Sequence, residues 1–203
     1  MNKEFIITKK QIAYAGFFRL EKYWLKHTLY NGSWSAELCR ELFVRGACVA
    51  VLLYDPNADK VVLIEQFRVG AMFSSNNPWL IEIVAGAIEE GEIADEVAYR
   101  EAVEEAGCQI QALYKINEFY TSPGGTGEKL TLFCGKVDSN KIIEGRHGLD
   151  EEQEDILVRV VDFKDAYTMI ESNEIDSAIP ILALQWLALN KAKLLQHWQT
   201  TPL

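Results

Sequence analysis

Basic side chains are scarce in this chain: 20 Lys and Arg face 30 Asp and Glu across 203 residues, a net charge of −10. A deficit of that sign argues against nonspecific binding to nucleic acid or anionic lipid, both of which rely on an excess of Lys and Arg. Cysteine is also sparse. Cys39, Cys48, Cys108 and Cys134 lie far apart, with neither zinc-type pairs nor the density of a disulfide framework, and are expected to be buried thiols. The three histidines, His27, His147 and His197, are dispersed without ligand spacing, so no zinc or imidazole-base site is expected. Long apolar runs are missing as well. The longest, Ala178 to Leu189, is interrupted by Pro180 and Gln185 and falls short of the roughly 18–20 residues a membrane span needs. The first ten residues, from Met1 to Lys10, do not form a signal peptide, and the reading is a cytoplasmic protein with no transmembrane helix.

What is present suits a folded protein. With 49% hydrophobic and 25% charged residues there is material for a core and no case for global disorder. The length suits one compact domain plus an appendage. Residues up to about 45 are rich in aromatics and long polar side chains, and Asn31-Gly32 is the strongest hairpin dipeptide, so an N-terminal β-hairpin region is expected. Ala47 to Tyr54 and Val61 to Phe67 read as core strands around a turn at Asp55-Pro56-Asn57. Leu80 to Ala85 reads as a further strand, followed by a loop around Gly86 and Gly91 and a helix over Ala94 to Ala106 with Gly107 as its C-cap. Strands are predicted at Ile110 to Tyr120, Leu130 to Val137 and Ile156 to Val161. Two helices close the chain, over about 165–172 and 179–198, the second with Leu182, Trp186, Leu189 and Leu194 as its apolar stripe. There is no internal repeat. This order suggests a mixed-sheet α/β domain over residues 46–203, with residues 1–45 as a separate β-rich lobe.

The acidity is local. Between Glu82 and Glu105 stand nine acids (Glu82, Glu89, Glu90, Glu92, Asp95, Glu96, Glu101, Glu104 and Glu105) and one base, Arg100. Five more acids, with no base, crowd Asp150 to Asp155. The two clumps carry −13, and the remainder of the chain, with 19 bases and 16 acids, carries +3. On a helix Glu101 and Glu105 share a face, a like-charge pairing that destabilises by about 0.2–0.5 kcal/mol, and only Arg100, through Glu104, can compensate. A solvated acidic face accounts for any two of these residues but poorly for the whole cluster. Carboxylates so arranged suit a hard cation such as Mg²⁺ with water and phosphate ligands. A glycine at position 86 would let a backbone carbonyl, that of Ala85, approach such an ion.

Gly86, five residues, Glu92, seven residues and then Arg100-Glu101-Ala102-Val103-Glu104-Glu105-Ala106-Gly107-Cys108 resembles the Nudix box. Seven fixed residues over 23 positions make the match specific, and only Cys108 stands where an aliphatic residue is usual. A buried thiol behaves as a small hydrophobe, so the departure matters little. The resemblance implies the Nudix fold, an α+β arrangement with a mixed β-sheet packed between helices. It also implies hydrolysis of a nucleoside diphosphate linked to another group, with Mg²⁺, or Mn²⁺ in its place, and more than one ion per site.

Ser122-Pro123-Gly124-Gly125 places a proline sixteen residues after Gly107, which resembles the ADP-ribose pyrophosphatase branch of the family; a plain type II turn is the alternative. Gly145 to Ile156 resembles the mobile acidic loop of the dimeric bacterial enzymes of that branch. By this resemblance the Ala85 carbonyl, Glu101, Glu105 and Glu154 are the metal ligands, and Glu152 is the general base, with Glu151 as its alternative. Phe17 and Arg40 match positions that sandwich adenine, with Phe18 and Glu41 beside them. Arg45 and Arg68 match positions near the phosphates and ribose, and Ala87, Ser122, Gly124 and Glu128 match further substrate contacts. A homodimer that exchanges its N-terminal lobe is implied. The expected activity is Mg²⁺-dependent cleavage of ADP-ribose to AMP and ribose 5-phosphate. The alternatives are a Nudix pyrophosphatase for GDP-mannose or a UDP-sugar and a noncatalytic Nudix-like nucleotide sensor, which would not need the full glutamate set.

Overall fold

The computed structural model describes residues 2–73 and 77–200. The chain divides into two compact units, residues 1–47 with 119–130, and residues 48–118 with 131–203.

The first unit is built on an antiparallel sheet of β1 (Phe5–Ala15), β2 (Arg19–His27) and β3 (Leu38–Val44), in that order. The β1–β2 hairpin turns on Gly16, whose N–H donates to the Phe18 carbonyl at 3.0 Å, and Phe17 is left at the tip. Asn31-Gly32 does make a tight turn, with Gly32 at φ +87° and the Asn31 side chain accepting from Ser33, but it lies in the link from β2 to β3. Glu21 is buried on β2, where its carboxylate accepts the Tyr23 hydroxyl and forms ion pairs with Lys10 and Arg19. Every residue of β1 is exposed, Phe5, Ile6, Ile7, Ile12 and Tyr14 among them. The turn at Ser122-Pro123-Gly124-Gly125 joins this unit through the Phe43 N–H, which donates to the Gly125 carbonyl at 2.8 Å. It is not a type II turn, because Gly124 lacks the positive φ which that turn demands.

The larger sheet has eight strands. Its main path runs β10 (Gly145–His147), β11 (Ile156–Asp162), β5 (Lys60–Phe67), β4 (Ala47–Asp55), β9 (Lys129–Lys136) and β8 (Ala112–Tyr120). β4 and β5 pair only near their turn, over Leu53–Asp55 and Lys60–Val62, and then splay. Each freed edge takes up a short strand of its own: β6 (Trp79–Glu82) pairs with β5, and β7 (Val84–Ala87) pairs with β4. The single strand expected over Leu80 to Ala85 is therefore two, broken at the buried Ile83, and Gly86 lies in β7 instead of a loop. The stretch expected as one loop from Gly145 likewise opens with β10.

Helices cover both faces of the sheet, which is why β4 is buried almost throughout. Val49, Val51 and Leu53 pack with Val97, Ala98, Ala102 and Ala106 of α1 (Ala94–Ala106). On the alternate register Tyr54 stacks on Trp198 of α3 (Ala178–Thr200), and α2 (Phe163–Glu171) packs beside β11 and β5. Cys108 and Cys134 are buried as expected, but Cys39 is exposed on β3 and Cys48 half-buried.

One expectation about α3, its apolar stripe, is corrected. The helix spans 23 residues, close to the expected 179–198, and passes for a membrane span by length and composition alone, a test that the core helix of a folded domain also passes. Its buried face is Pro180, Ala183, Leu184, Leu187 and Leu194, with Lys191 paired to Asp59 at 2.6 Å. Leu182 and Leu189 lie on the opposite, exposed side, seven residues apart and so on a common stripe of their own. Leu184→Ala is expected to destabilise the protein by about 2–5 kcal/mol in urea unfolding, and Leu189→Ala by less than about 0.5 kcal/mol.

Candidate active site

The break between β6 and β7 carries the backbone of Ala85 and Gly86 against α1. The Ala85 N–H donates to Glu105 Oε2 at 2.8 Å. At Gly86 the Glu101 side chain packs on the backbone: a Cβ there would stand 1.8 Å from Glu101 Oε1. Any larger residue would therefore push the Glu101 carboxylate out of this position.

α1 presents these acids because of how its ends are fixed. Asp95 and Glu96 occupy its first turn, where negative charge suits the helix dipole. Gly107 closes it in the left-handed conformation at φ +59°, as expected, returning its N–H to the Val103 carbonyl. Glu92 accepts the Glu89 N–H at 2.9 Å and meets Arg100 at 3.4 Å, tying the loop to the helix. Arg100 serves more acids than expected: it also reaches Glu101 at 2.9 Å and Glu104 at 2.7 Å.

Glu101 and Glu105 are buried, which removes the solvated-face explanation. Burial pushes the Glu101 carboxyl up to about 7; Arg100 opposes the shift, while Glu104 and Glu154 add to it. Burial pushes Glu105 up to about 8; the Ala85 N–H opposes, and the charges of Glu101 and Glu154 add to the rise. Arg68 is also near enough for its charge to be felt at Glu105. Glu154 is held by the Leu149 N–H at 3.2 Å, at a point where Gly148, at φ +98°, allows its Cβ to pack closely. Glu151 and Glu152 lie on a short 3₁₀ turn (Asp150–Glu152) with exposed side chains.

The structure thus brings Ala85 to Glu105, Gly86 to Glu101, and Glu154 within electrostatic range of both acids. It does not assemble them into a finished metal cluster: among the described residues, no three His, Cys, Asp or Glu side chains are grouped to hold an ion. Glu101 turns to Arg100, and Ala85 offers Glu105 its N–H. The donor chemistry nonetheless fits a hard divalent ion, which would relieve the mutual repulsion of three acids, two of them buried.

The expected substrate residues divide between the two units. In the larger one, Arg68 donates to Glu82 Oε2 through Nε and Nη2, each at 2.8 Å, and Ala87 pairs with Cys48 at the end of β7. In the smaller one, Phe17 is almost wholly exposed and meets Phe18 edge-on, and Phe18 meets Phe43 in the same manner. Arg45 lies over the Phe18 ring at 5.3 Å and pairs with Glu128 at 3.2 Å, while Thr121 donates to the other Glu128 oxygen at 2.8 Å. Arg40 and Glu41 are neighbours on β3, so they project to opposite faces. The Arg40 guanidinium binds the Cys39 carbonyl, and Glu41 binds Lys22. The Ser122 carbonyl accepts the Gly125 and Thr126 N–H groups, leaving Gly124 at the turn's apex. Phe43, Thr121, Gln66 and Glu82 were not foreseen as parts of either cluster, and of these only Glu82 carried a signal, as a member of the first acidic clump.

Comparison with known proteins agrees with this geometry. The NUDIX domain family matches residues 44–201. The chain is 45% identical over 192 residues to the ADP-ribose pyrophosphatase of Escherichia coli K12, covering 95% of this chain and 91% of that protein. It is also 45% identical to the Haemophilus influenzae ADP-ribose pyrophosphatase, with 95% and 90% covered, and 38% identical to the GDP-mannose pyrophosphatase of Cronobacter sakazakii, with 74% and 78% covered. A crystal structure of an ADP compounds hydrolase superposes with a TM-score of 0.72 at 18% identity, over 94% of this chain and 96% of that one, a likeness of fold. The chain belongs to the Nudix family.

Because the folded state holds protons on Glu101 and Glu105 that the unfolded chain releases near 4.5, stability in chelator is expected to fall as pH rises from about 4.5 to about 8. The loss is on the order of several kcal/mol, and Glu105→Gln, which cannot ionise, should make the slope shallower, leaving the part that Glu101 contributes. Urea unfolding at a series of pH values measures both slopes.

Proposed function

We propose that this chain is a Mg²⁺-dependent hydrolase that cleaves ADP-ribose to AMP and ribose 5-phosphate. The observation that carries the reading is the buried pair Glu101 and Glu105 packed on Ala85 and Gly86, in a chain 45% identical to ADP-ribose pyrophosphatases over 95% of its length.

Ala85, through its carbonyl, and Glu101, Glu105 and Glu154 would hold Mg²⁺, or Mn²⁺, with more than one ion per site. The ion's chemistry is to offset charge building on the diphosphate oxygens and to lower the pKa of bound water. Glu152 takes the proton of the attacking water, with Glu151 as its neighbour in the same turn. The water oxygen bonds to one phosphorus as the bridging P–O bond breaks, and the two phosphates separate as AMP and ribose 5-phosphate. An acid on a surface turn can close over bound substrate and exclude solvent as it does so. Phe17 and Arg40 stack on adenine beside Phe18 and Glu41, since a phenyl face and a guanidinium both suit a flat base. Arg45 and Arg68 bind phosphate and ribose oxygens, and Ala87, Ser122, Gly124 and Glu128 complete the substrate contacts.

The active form in this reading is a homodimer in which residues 1–45 are exchanged, residues 46–203 forming the hydrolase domain. The exposed apolar side chains along β1 support it, because a contiguous run of that kind calls for a cover. The compartment is the cytoplasm, with neither nucleic acid nor membrane as partner. A second reading, hydrolysis of GDP-mannose or a UDP-sugar, is favoured by the 38% identity to a GDP-mannose pyrophosphatase.

Phosphate-coupled turnover of ADP-ribose, GDP-mannose and UDP-glucose, each with Mg²⁺ and with chelator, is expected to give a Mg²⁺-dependent preference for ADP-ribose. Preference for another sugar nucleotide would overturn the substrate but keep the chemistry, and Glu105→Gln turning over like the parent would remove the metal-site assignment. Glu152→Gln should lower kcat by roughly 10²–10⁴-fold with substrate affinity kept, as measured by single-turnover kinetics and calorimetry. Near-parental turnover would move the base to Glu151.

A further inference from the structure

Glu82 belongs to the first acidic clump yet has no part in the function proposed above. It closes β6, opposite Ile64 of β5, and its side chain is only 15% exposed. One carboxylate oxygen, Oε2, gathers three donors: Arg68 Nε at 2.8 Å, Arg68 Nη2 at 2.8 Å and Gln66 Nε2 at 3.3 Å. Glu82 is therefore occupied as an acceptor. Arg68 follows β5 directly, and its N–H donates to the Pro78 carbonyl, so backbone and side chain are both tied to the segment that enters β6.

A guanidinium offers five N–H donors in one plane. Two are committed to Glu82, which fixes the plane and leaves the Nη1 edge, among the described residues, as the one that can bind something else. Arg68 is 43% exposed on its side chain and close enough to Glu105 for its charge to be felt there. The fork thus lies within electrostatic range of Glu105, pinned along one edge.

We propose that Glu82 is a positioning residue: with Gln66 it holds the Arg68 guanidinium so that the free edge meets a diphosphate oxygen of the substrate. This rests on the diphosphate-hydrolase reading and deepens it. An unpinned arginine would have to give up the freedom of its long side chain each time substrate binds, whereas a pinned one has lost that freedom already. Gln66 adds a neutral donor to the same oxygen, so the acid is held without a second cation competing with Arg68.

The test is a double-mutant cycle of Glu82→Ala and Arg68→Ala, read by ADP affinity in calorimetry, by kcat and KM on ADP-ribose, and by urea unfolding. Glu82→Ala is expected to weaken ADP binding and raise KM by roughly tenfold, the effect of one hydrogen bond to a charged group. In the Arg68→Ala background the same change should have no further effect. Glu82→Gln, which keeps an acceptor oxygen, should recover a large part of the loss. Equal losses in both backgrounds, or unchanged ADP affinity in a folded Glu82→Ala protein, would overturn the proposal and assign Glu82 to the β5–β6 pairing alone. If Glu82→Ala does not fold, Glu82→Met, which keeps the side chain's length without an acceptor oxygen, enters the same cycle. A parent that binds ADP but turns over no ADP-ribose would overturn the reading of the substrate, and the calorimetric cycle would still decide the role of Glu82.

Discussion

Glu105 is 3% exposed, and the Ala85 N–H is the hydrogen bond that holds its carboxylate against the sheet. The arrangement of the larger unit around α1 depends on that contact and its neighbour, Glu101 on Gly86. β4 and β5 splay so that β7 can pair with β4 and carry Ala85 and Gly86 to the helix. Ala98, Ala102 and Ala106 supply the small apolar side on which α1 meets the core. Burying two carboxylates so close together is unfavourable by itself, and the raised pKa of both acids, caused mainly by burial, reports it. In the proposed function, stability is given up at the place where a cation and a diphosphate would restore it.

Arginines organise the acids around this pair. Arg100 gathers Glu92, Glu101 and Glu104, joining the loop before α1 to the helix itself. Arg68, held by Glu82, is the second, and its field reaches Glu105. The local charge of −8 is thus divided into acids that are neutralised in place and acids left to bind something else. The smaller unit follows the same economy with Glu21, buried between Lys10 and Arg19, and with Glu128, shared by Arg45 and Thr121.

Much of the larger unit was legible in the sequence, because its signals are local. The helix over Ala94 to Ala106 and its end at Gly107 follow from a run of helix formers and a residue that tolerates positive φ. β4 and β5 follow from short apolar runs about a Pro-containing turn. The division at Ile83 was not legible, since an apolar run looks the same whether it pairs with one strand or with two. Leu182 and Leu189 share a stripe at helical spacing, and sequence alone does not tell which of two apolar stripes on α3 meets the sheet. β10, three residues with a glycine, is too short to leave a pattern.

The sequence by itself determined the chemistry on offer: the acids, their spacing on one helix face, and the glycines at 86 and 107. Those features are set by helical periodicity and by the absence of a side chain, and neither needs a neighbour. The tertiary structure alone decided which acids are buried, which arginine serves which acid, and that the Glu101 carboxylate packs on Gly86. Burial and pairing arise from residues distant in the chain, such as Ala85 and Glu105 or Arg68 and Glu82, and only the folded sheet brings them within hydrogen-bonding distance.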